Sequence, residues 1–262
     1  VADLWSYKTI DDTEVVIYNA LAFEKLKHAG KLAQKTLQYI KPFVVEGVAT
    51  EELDSLINQY IIKNNAKPAT LGYRGYPKSS CISINHEVCH GIPSSKKLQN
   101  GDILNIDITV ILDGFYGDCS DMFSIGKVHP KAQKLIDVTN QCLNEAIAVV
   151  KAGATLGDIG AIIQKIAHSN KFSVVEDFCG HGIGHAFHLP PNILHYGKPN
   201  TGLTLEEGMV FTIEPMINIG TKDTMILKNG WTAITRDLSL SAQVEHTIGV
   251  LKDGCVVFTQ KE

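Results

Sequence analysis

The chain has 262 residues, 44% hydrophobic and 20% charged, with 22 Gly and 9 Pro, a balance that excludes disorder and collagen-like repeats. Its formal net charge of -4 comes without a basic tract, which excludes the electrostatic footprint of a nucleic-acid or anionic-membrane binder. Cys81, Cys89, Cys119, Cys142, Cys179 and Cys255 lack C-x-x-C spacing and read as reduced thiols of a cytoplasmic protein, with no signal peptide and no membrane span expected.

From Asp12 the pattern predicts a helix. Asp12 and Thr13 serve as its cap, Val15, Val16, Leu21, Leu26, Leu32, Ala33, Leu37 and Ile40 recur at helical spacing, and Pro42 stops the run. A second helix is predicted from Thr50, with Glu51 and Glu52 in its first turn and Leu53, Leu56, Ile57 and Tyr60 as its apolar stripe. At one constant offset that stripe returns as Ile159, Ile162, Ile163 and Ile166, and Gly47 returns as Gly153. The echo predicts two related α/β halves, residues 12–125 and 130–250, inside a single domain spanning 1–262.

Asp102 to Leu112 alternates, with Asn105, Asp107 and Thr109 on one face and the wholly apolar Leu104, Ile106, Ile108 and Val110 on the other. Asp113-Gly114 is a favoured two-residue hairpin turn, which pairs Leu112 with Phe115, Thr109 with Asp118 and Asp107 with Ser120. Asp107 and Asp118 thereby become diagonal neighbours on one face, and two such carboxylates repel unless a proton or a cation lies between them.

Further along, residues 179–188 form a glycine-spaced, histidine-rich loop that includes His181. Met209 to Ile213 is an apolar run ending at Glu214, and Glu245 sits inside the strand-like segment Val244 to Ile248. A carboxylate in such a setting is expensive unless paired or bound to metal. Asp107, Asp118, His181, Glu214 and Glu245 together offer four carboxylates and one imidazole, the ligand set that two adjacent divalent ions require. This oxygen-rich shell suits Mn²⁺, Fe²⁺ or Co²⁺, and Zn²⁺ or Mg²⁺ also fit the donors.

His86-Glu87-Val88-Cys89-His90 matches the H-E-x-x-H zinc-protease pattern, which works only on a helix, where both histidines share a face. Strand-like Cys81 to Ile84 before it and Gly91-Ile92-Pro93 after it leave room for one turn at most, so the match reads as a decoy.

The segments Tyr73-Arg74-Gly75-Tyr76-Pro77-Lys78-Ser79-Ser80-Cys81, Val88-Cys89-His90-Gly91-Ile92-Pro93, Asn105-Ile106-Asp107, Asp113-Gly114-Phe115-Tyr116-Gly117-Asp118, Gly180-His181-Gly182-Ile183-Gly184, Phe211-Thr212-Ile213-Glu214-Pro215-Met216 and Glu245-His246-Thr247 resemble, in order, those of type I methionine aminopeptidases. The resemblance runs through nearly the whole chain. It implies an α/β (α+β) class and the pita-bread fold, two pseudo-symmetric α/β halves around a central antiparallel β-sheet forming one catalytic domain. It also implies that Asp107, Asp118, His181, Glu214 and Glu245 are the metal ligands, Asp118 and Glu245 bridging two ions. His90 and His188 correspond to the family's two catalytic histidines outside the ligand set, and Tyr73, Tyr76, Cys81, Phe187 and Trp231 to its methionine pocket.

The reaction implied is hydrolysis of the first peptide bond of a chain beginning with Met. Glu214 moves the proton of the attacking water to the leaving amine, His188 stabilises the oxyanion, and His90 meets the scissile amide nitrogen. The partner implied is a peptide or nascent-protein N-terminus in the cytoplasm, with ribosome association, no membrane or nucleic-acid site, and a monomeric chain. The short stretch between His188 and Glu214 leaves no room for the inserted domain of type II enzymes, and the lack of a Cys/His-rich extension looks bacterial in type. A prolidase or proline-specific aminopeptidase on the same fold is the enzymatic alternative, and a catalytically inactive binding protein the non-enzymatic one. Arg74, Thr70 and His185 depart from the family's commoner residues at positions that bear on substrate preference. His28, His86, His129, His168, His195 and His246 read as solvated or structural.

Overall fold

Asp11 and Asp12, at φ 47° and 62°, turn the chain between two paired strands, β1 (Trp5–Ile10) and β2 (Thr13–Tyr18). The structure, a computed structural model, describes residues 4–261. The helix expected from Asp12 therefore starts later, and the reason lies in burial. Val15 and Val16 point to opposite faces of β2, and each is buried in a different hydrophobic core, so two adjacent apolar residues that suit a helix also suit a strand covered on both sides.

Helix α1 (Ala20–Ile40) begins once Asn19 can cap it, its Oδ1 accepting from Ala22 N at 3.0 Å, and ends just before Pro42. Gly47 then turns the chain into α2 (Thr50–Lys63), where Glu52 Oε1 accepts from Ala49 N at 3.0 Å. A two-residue strand β3 (Lys67–Pro68) follows, then β4 (Cys81–Ile84), β5 (Glu87–Cys89) and the long hairpin β6 (Ile103–Leu112) and β7 (Phe115–Ser124). Asp113 and Gly114, at φ 50° and 81°, supply the expected turn, and the register is the expected one: Leu112 opposite Phe115, Thr109 opposite Asp118, Asp107 opposite Ser120. The apolar face of β6 packs into the core shared with α1 and α2. At Gly117 a Cβ would stand 2.4 Å from the Ala29 carbonyl carbon, so the absent side chain is what lets α1 lie on β7.

The second half repeats this order with α3 (Pro130–Ala148) and α4 (Leu156–Ser169). The offset that carries Leu53 to Ile159 also carries Gly47 (φ 87°) to Gly153 (φ 89°), and Asn65 (φ 58°) to Lys171 (φ 60°). It carries the closing bond Ala66 N to Ile61 O to the bond Phe172 N to Ala167 O, and β3 to the equally short β8 (Ser173–Val174). The chain continues through β9 (Gly180–Gly182), β10 (Leu189–Ile193), β11 (Val210–Ile213), β12 (Met216–Asn218), β13 (Thr224–Ile226), β14 (Ala233–Thr235), β15 (Ser241–Gln243), β16 (His246–Leu251) and β17 (Gly254–Val257).

Every strand pairing among the described residues is antiparallel. β3 and β4 share one edge of β6, while β10, β9, β11, β16 and β17 form the largest sheet of the second half. The halves meet where β7 approaches the join of β15 and β16. Ser120 and Glu245 exchange backbone hydrogen bonds there, and Thr247 Oγ1 donates to the Asp118 carbonyl at 2.7 Å and accepts from Asp118 N at 3.2 Å. Two hydrophobic cores lie behind this seam, each drawn mainly from one half, and the seam brings together carboxylates from both halves.

Candidate metal centre and active-site cavity

The hairpin register sets Asp107 and Asp118 on one face of β6 and β7, and β4 places Cys81 opposite Asp107 on the neighbouring strand. From the second half, β9 presents His181, the end of β11 presents Glu214, and the Ser120 bridge presents Glu245. A Cβ at Gly182 would lie 2.2 Å from the Pro190 carbonyl oxygen, so glycine beside His181 is what admits β10 against β9. A cavity of about 310 Å³ opens over this cluster. All twelve residues singled out in the sequence line it: Asp107, Asp118, His181, Glu214, Glu245, His90, His188, Tyr73, Tyr76, Cys81, Phe187 and Trp231.

Asp118, His181 and Glu245 are buried and offer ligand atoms that all lie within 4.8 Å of one another. Asp107 Oδ1 and Glu245 Oε1 are buried without a hydrogen-bond partner among the described residues. His181 Nδ1 lies 3.0 Å from the Gly182 carbonyl, which only accepts, so Nδ1 carries the ring proton and Nε2 keeps its lone pair. That bare Nε2 lies 3.7 Å from Asp118 Oδ2 and 3.6 Å from Glu214 Oε1. Burial pulls the His181 imidazole down to about 4, so these are not ion pairs but electron-rich atoms converging on one point. Burial raises all four carboxyls, Asp107 to about 7, Glu214 to about 8, and Asp118 and Glu245 well above the usual range, and repulsion from neighbouring carboxylates adds to the rise at Asp118, Glu214 and Glu245. Divalent cations fit this donor set: they would satisfy the orphaned oxygens and the bare nitrogen together and let the carboxylates ionise.

The supporting contacts fix each ligand. Thr109 Oγ1 donates to Asp118 Oδ1 at 2.8 Å, the cross-strand pair that the hairpin turn dictated. Thr212 Oγ1 donates to Glu214 Oε1 at 2.8 Å, and Gln243 Nε2 donates to Glu214 Oε2 at 3.1 Å. Glu214 N donates to Nε2 of His195, which is wholly buried. Gln243 and His195 reach Glu214 from far along the chain and Thr247 reaches Asp118 across the seam, so no local pattern marked them, whereas Thr212 stands in β11 two residues before Glu214, on the face that strand alternation assigns to both.

Around the cluster, Tyr73 and Phe187 rings stand 4.7 Å apart, Phe187 and His188 4.3 Å, and His188 and His181 4.1 Å. Tyr73 Oη lies 2.9 Å from His188 Nδ1. On another wall His90 stands edge-on to Phe178 at 5.5 Å and to Trp231 at 6.3 Å. Burial lowers the proton affinity of His90, and burial plus neighbouring positive charge pulls His188 down to about 3. Tyr76 is buried with its one hydroxyl proton shared between the Ser80 and Gly91 carbonyls, at 2.9 and 3.0 Å, so it offers the cavity only its ring. Cys179, at the start of the glycine-spaced loop, and Met216, at the end of the Phe211 to Met216 segment, also line the cavity, as does Phe178, which no sequence signal marked.

The decoy resolves as expected. Residues 87–89 are a strand, Glu87 Oε2 accepts from Ile84 N at 2.8 Å, and His86 does not line the cavity. His185, outside the cavity, stacks on Trp5 at 4.2 Å and hydrogen-bonds Tyr18 Oη, tying the first hairpin to the loop that carries Phe187 and His188.

Residues 24–252 match metallopeptidase family M24. The chain is 55% identical to the methionine aminopeptidase of Rickettsia prowazekii, over 94% of this chain and 95% of that one. It is 51% identical to the methionine aminopeptidase of Escherichia coli, over 91% of each. The crystal structure of the R. prowazekii enzyme superposes with a TM-score of 0.92, covering 93% of this chain and 99% of that one.

Proposed function

The chain belongs to metallopeptidase family M24, with the pita-bread fold of its methionine aminopeptidases, and from that premise we propose how its own residues remove an N-terminal methionine. The observation that carries the proposal is the convergence of Asp107, Asp118, His181, Glu214 and Glu245 in the floor of a cavity walled by aromatic rings. Asp107, Asp118, His181, Glu214 and Glu245 would hold two divalent ions, and four carboxylates with one imidazole suit Mn²⁺, Fe²⁺ or Co²⁺, with Zn²⁺ and Mg²⁺ also fitting the donors. When bound, such ions supply a water of lowered proton affinity and polarise a carbonyl.

Glu214 is the proton carrier. Its oxygens are held by Thr212 and Gln243, which fixes the carboxylate where it would move a proton from the attacking water to the leaving amine. His188 is neutral. Tyr73 Oη lies 2.9 Å from its Nδ1, and in the tautomer where the phenol is the donor the ring proton sits on Nε2, free for the developing oxyanion. His90, also neutral and set among Phe178 and Trp231, meets the scissile amide nitrogen. Tyr73, Tyr76, Cys81, Phe187 and Trp231 enclose the methionine side chain, whose polarizable thioether suits aromatic faces. Residues 1–262 act as one catalytic domain, with pseudo-repeats 12–125 and 130–250, a division supported by the turns and short strands that recur at one offset. Six unpaired thiols support a cytoplasmic setting, where the chain acts as a monomer on nascent N-termini at the ribosome.

Incubation of the metal-reconstituted protein with Met-Ala-Ser tests the reading. Release of free methionine is the expected result; turnover confined to Xaa-Pro peptides would assign it to proline-specific cleavage, and no turnover with any metal would remove the enzymatic reading.

A further inference from the structure

Arg74 alone among the residues lining the cavity carries a fixed positive charge. Its backbone is held at φ 48° inside a tight loop between Gly72 (φ 83°) and Gly75 (φ 86°), closed by the bond from Gly72 N to the Tyr76 carbonyl at 2.8 Å. The loop is anchored by the buried Tyr76, whose hydroxyl lies within hydrogen-bond distance of the Ser80 and Gly91 carbonyls. The Arg74 guanidinium carbon lies 5.3 Å from the centre of the Tyr73 ring, and the Tyr73 hydroxyl meets His188. Among the described residues no carboxylate lies within ion-pair distance of Arg74. A left-handed backbone at a non-glycine residue, stacking on an aromatic ring, and an unpaired cation at the rim together describe a charge held ready for something that is not part of this chain.

An exopeptidase swallows the first side chain and leaves the rest of the peptide running out past the rim. His188 is exposed, and Arg74 stands with Tyr73 on the same wall, which puts this guanidinium where a segment leaving the scissile bond would run. We propose that Arg74 is a specificity-determining residue that reads a carboxylate just beyond the scissile bond, so that peptides acidic at the third position are cleaved in preference to basic ones. The inference rests on the aminopeptidase reading above. The other fixed charge of the rim, Asp177, accepts from Thr224 Oγ1 at 2.6 Å beside the Glu176 and Lys222 pair and has the opposite sign, so the direction of any preference identifies which of the two the peptide meets.

The test uses amidated peptides Met-Ala-Xaa-Gly with Xaa as Asp, Asn or Lys, the second residue held small and the terminal charge removed. With the reconstituted wild-type protein, kcat/KM for Asp is expected to exceed that for Lys by about two- to fivefold at low salt, the scale of an exposed charge pair. The ratio should fall toward one in Arg74→Gln, invert in Arg74→Glu, and shrink for wild type as salt shortens the screening length. A parallel comparison of Met-Ala-Ser with its amide separates a side-chain carboxylate from a terminal one; an Arg74-dependent gain for either supports the inference. Equal rates for Asp and Lys with no gain for the free acid would overturn it while leaving the aminopeptidase reading intact, and so would a preference for Lys that Asp177→Asn abolishes. Failure to cleave any of these peptides would overturn both.

Discussion

His181 Nε2 lies 3.6 Å from Glu214 Oε1, and both atoms offer lone pairs. With the ring proton committed to the Gly182 carbonyl and the imidazole neutral, nothing in the chain stands between them to make the contact attractive. The same conflict recurs at Asp118 and Glu245, and it is the physical reason for assigning a cationic guest to the seam between the two halves.

The first prediction concerns pH. Asp107 and Glu214 are raised to about 7 and about 8 in the folded, metal-free chain, so each binds its proton more tightly folded than unfolded. A raised carboxyl contributes stability that is full below the ordinary carboxylate range and lost as pH climbs through the folded value. His181 and His195, held neutral at about 4 and about 3, act oppositely, but only below about 6.5, where the unfolded imidazoles begin to charge. Between about pH 6.5 and pH 8 the metal-free protein should therefore lose thermal stability, and added Mn²⁺ or Co²⁺ should reverse the loss at the upper end. Unfolding scans measure this directly; a metal-free chain that gains stability over that interval would contradict the electrostatics of the cluster.

Asp107→Asn and Asp118→Asn should each abolish methionine release while the fold persists. Removing one charge from the cluster weakens metal affinity, and without metal it relieves repulsion, so the unfolding temperature of the stripped variants should match or exceed that of the stripped parent. Near-parental activity after metal return in either variant would place the ligands elsewhere.

Much of this site was legible because a turn fixed a register. Asp113-Gly114 set Thr109 against Asp118 and Asp107 against Ser120, and the structure repeats those pairs. The echo of Leu53, Leu56, Ile57 and Tyr60 found α2 and α4, whose apolar stripes are long enough to carry their own period. Val15 and Val16 misled for the opposite reason: two residues hold no period, and only the presence of cores on both faces of β2 decides for strand. The contacts of Glu214 with His195 and Gln243 depend on which segments become neighbours across the second half, and no local pattern encodes that.

His86 and His90 should separate cleanly. His86→Ala is expected to retain activity, because residues 87–89 form a strand and His86 lies outside the cavity. His90→Ala should lower kcat with metal content unchanged. Loss of bound metal from either variant, read by elemental analysis, would revive the zinc-protease motif.

The aromatic pocket should select by shape and polarizability, since none of Tyr73, Tyr76, Phe187, Trp231 or Cys81 brings a charge to the first side chain. In an Xaa-Ala-Ser series, norleucine should be cleaved within roughly ten- to two-hundredfold of Met, the scale of a small apolar change worth about 1–3 kcal/mol. Lys and Glu should be refused, because burying an unpaired charge costs far more. Comparable rates for Lys and Met would return these rings to a purely structural role.

The central claim is that ions held by Asp107, Asp118, His181, Glu214 and Glu245 carry the hydrolysis. The most direct measurement strips the protein with chelator, returns metal in graded amounts, and follows bound metal per chain and methionine release from Met-Ala-Ser together, in the parent and in Glu245→Gln. The account predicts no release from the stripped parent, release that climbs as metal binds, and neither full binding nor restored release in the variant. Full activity in the stripped protein, or unimpaired metal binding and turnover in Glu245→Gln, would contradict it.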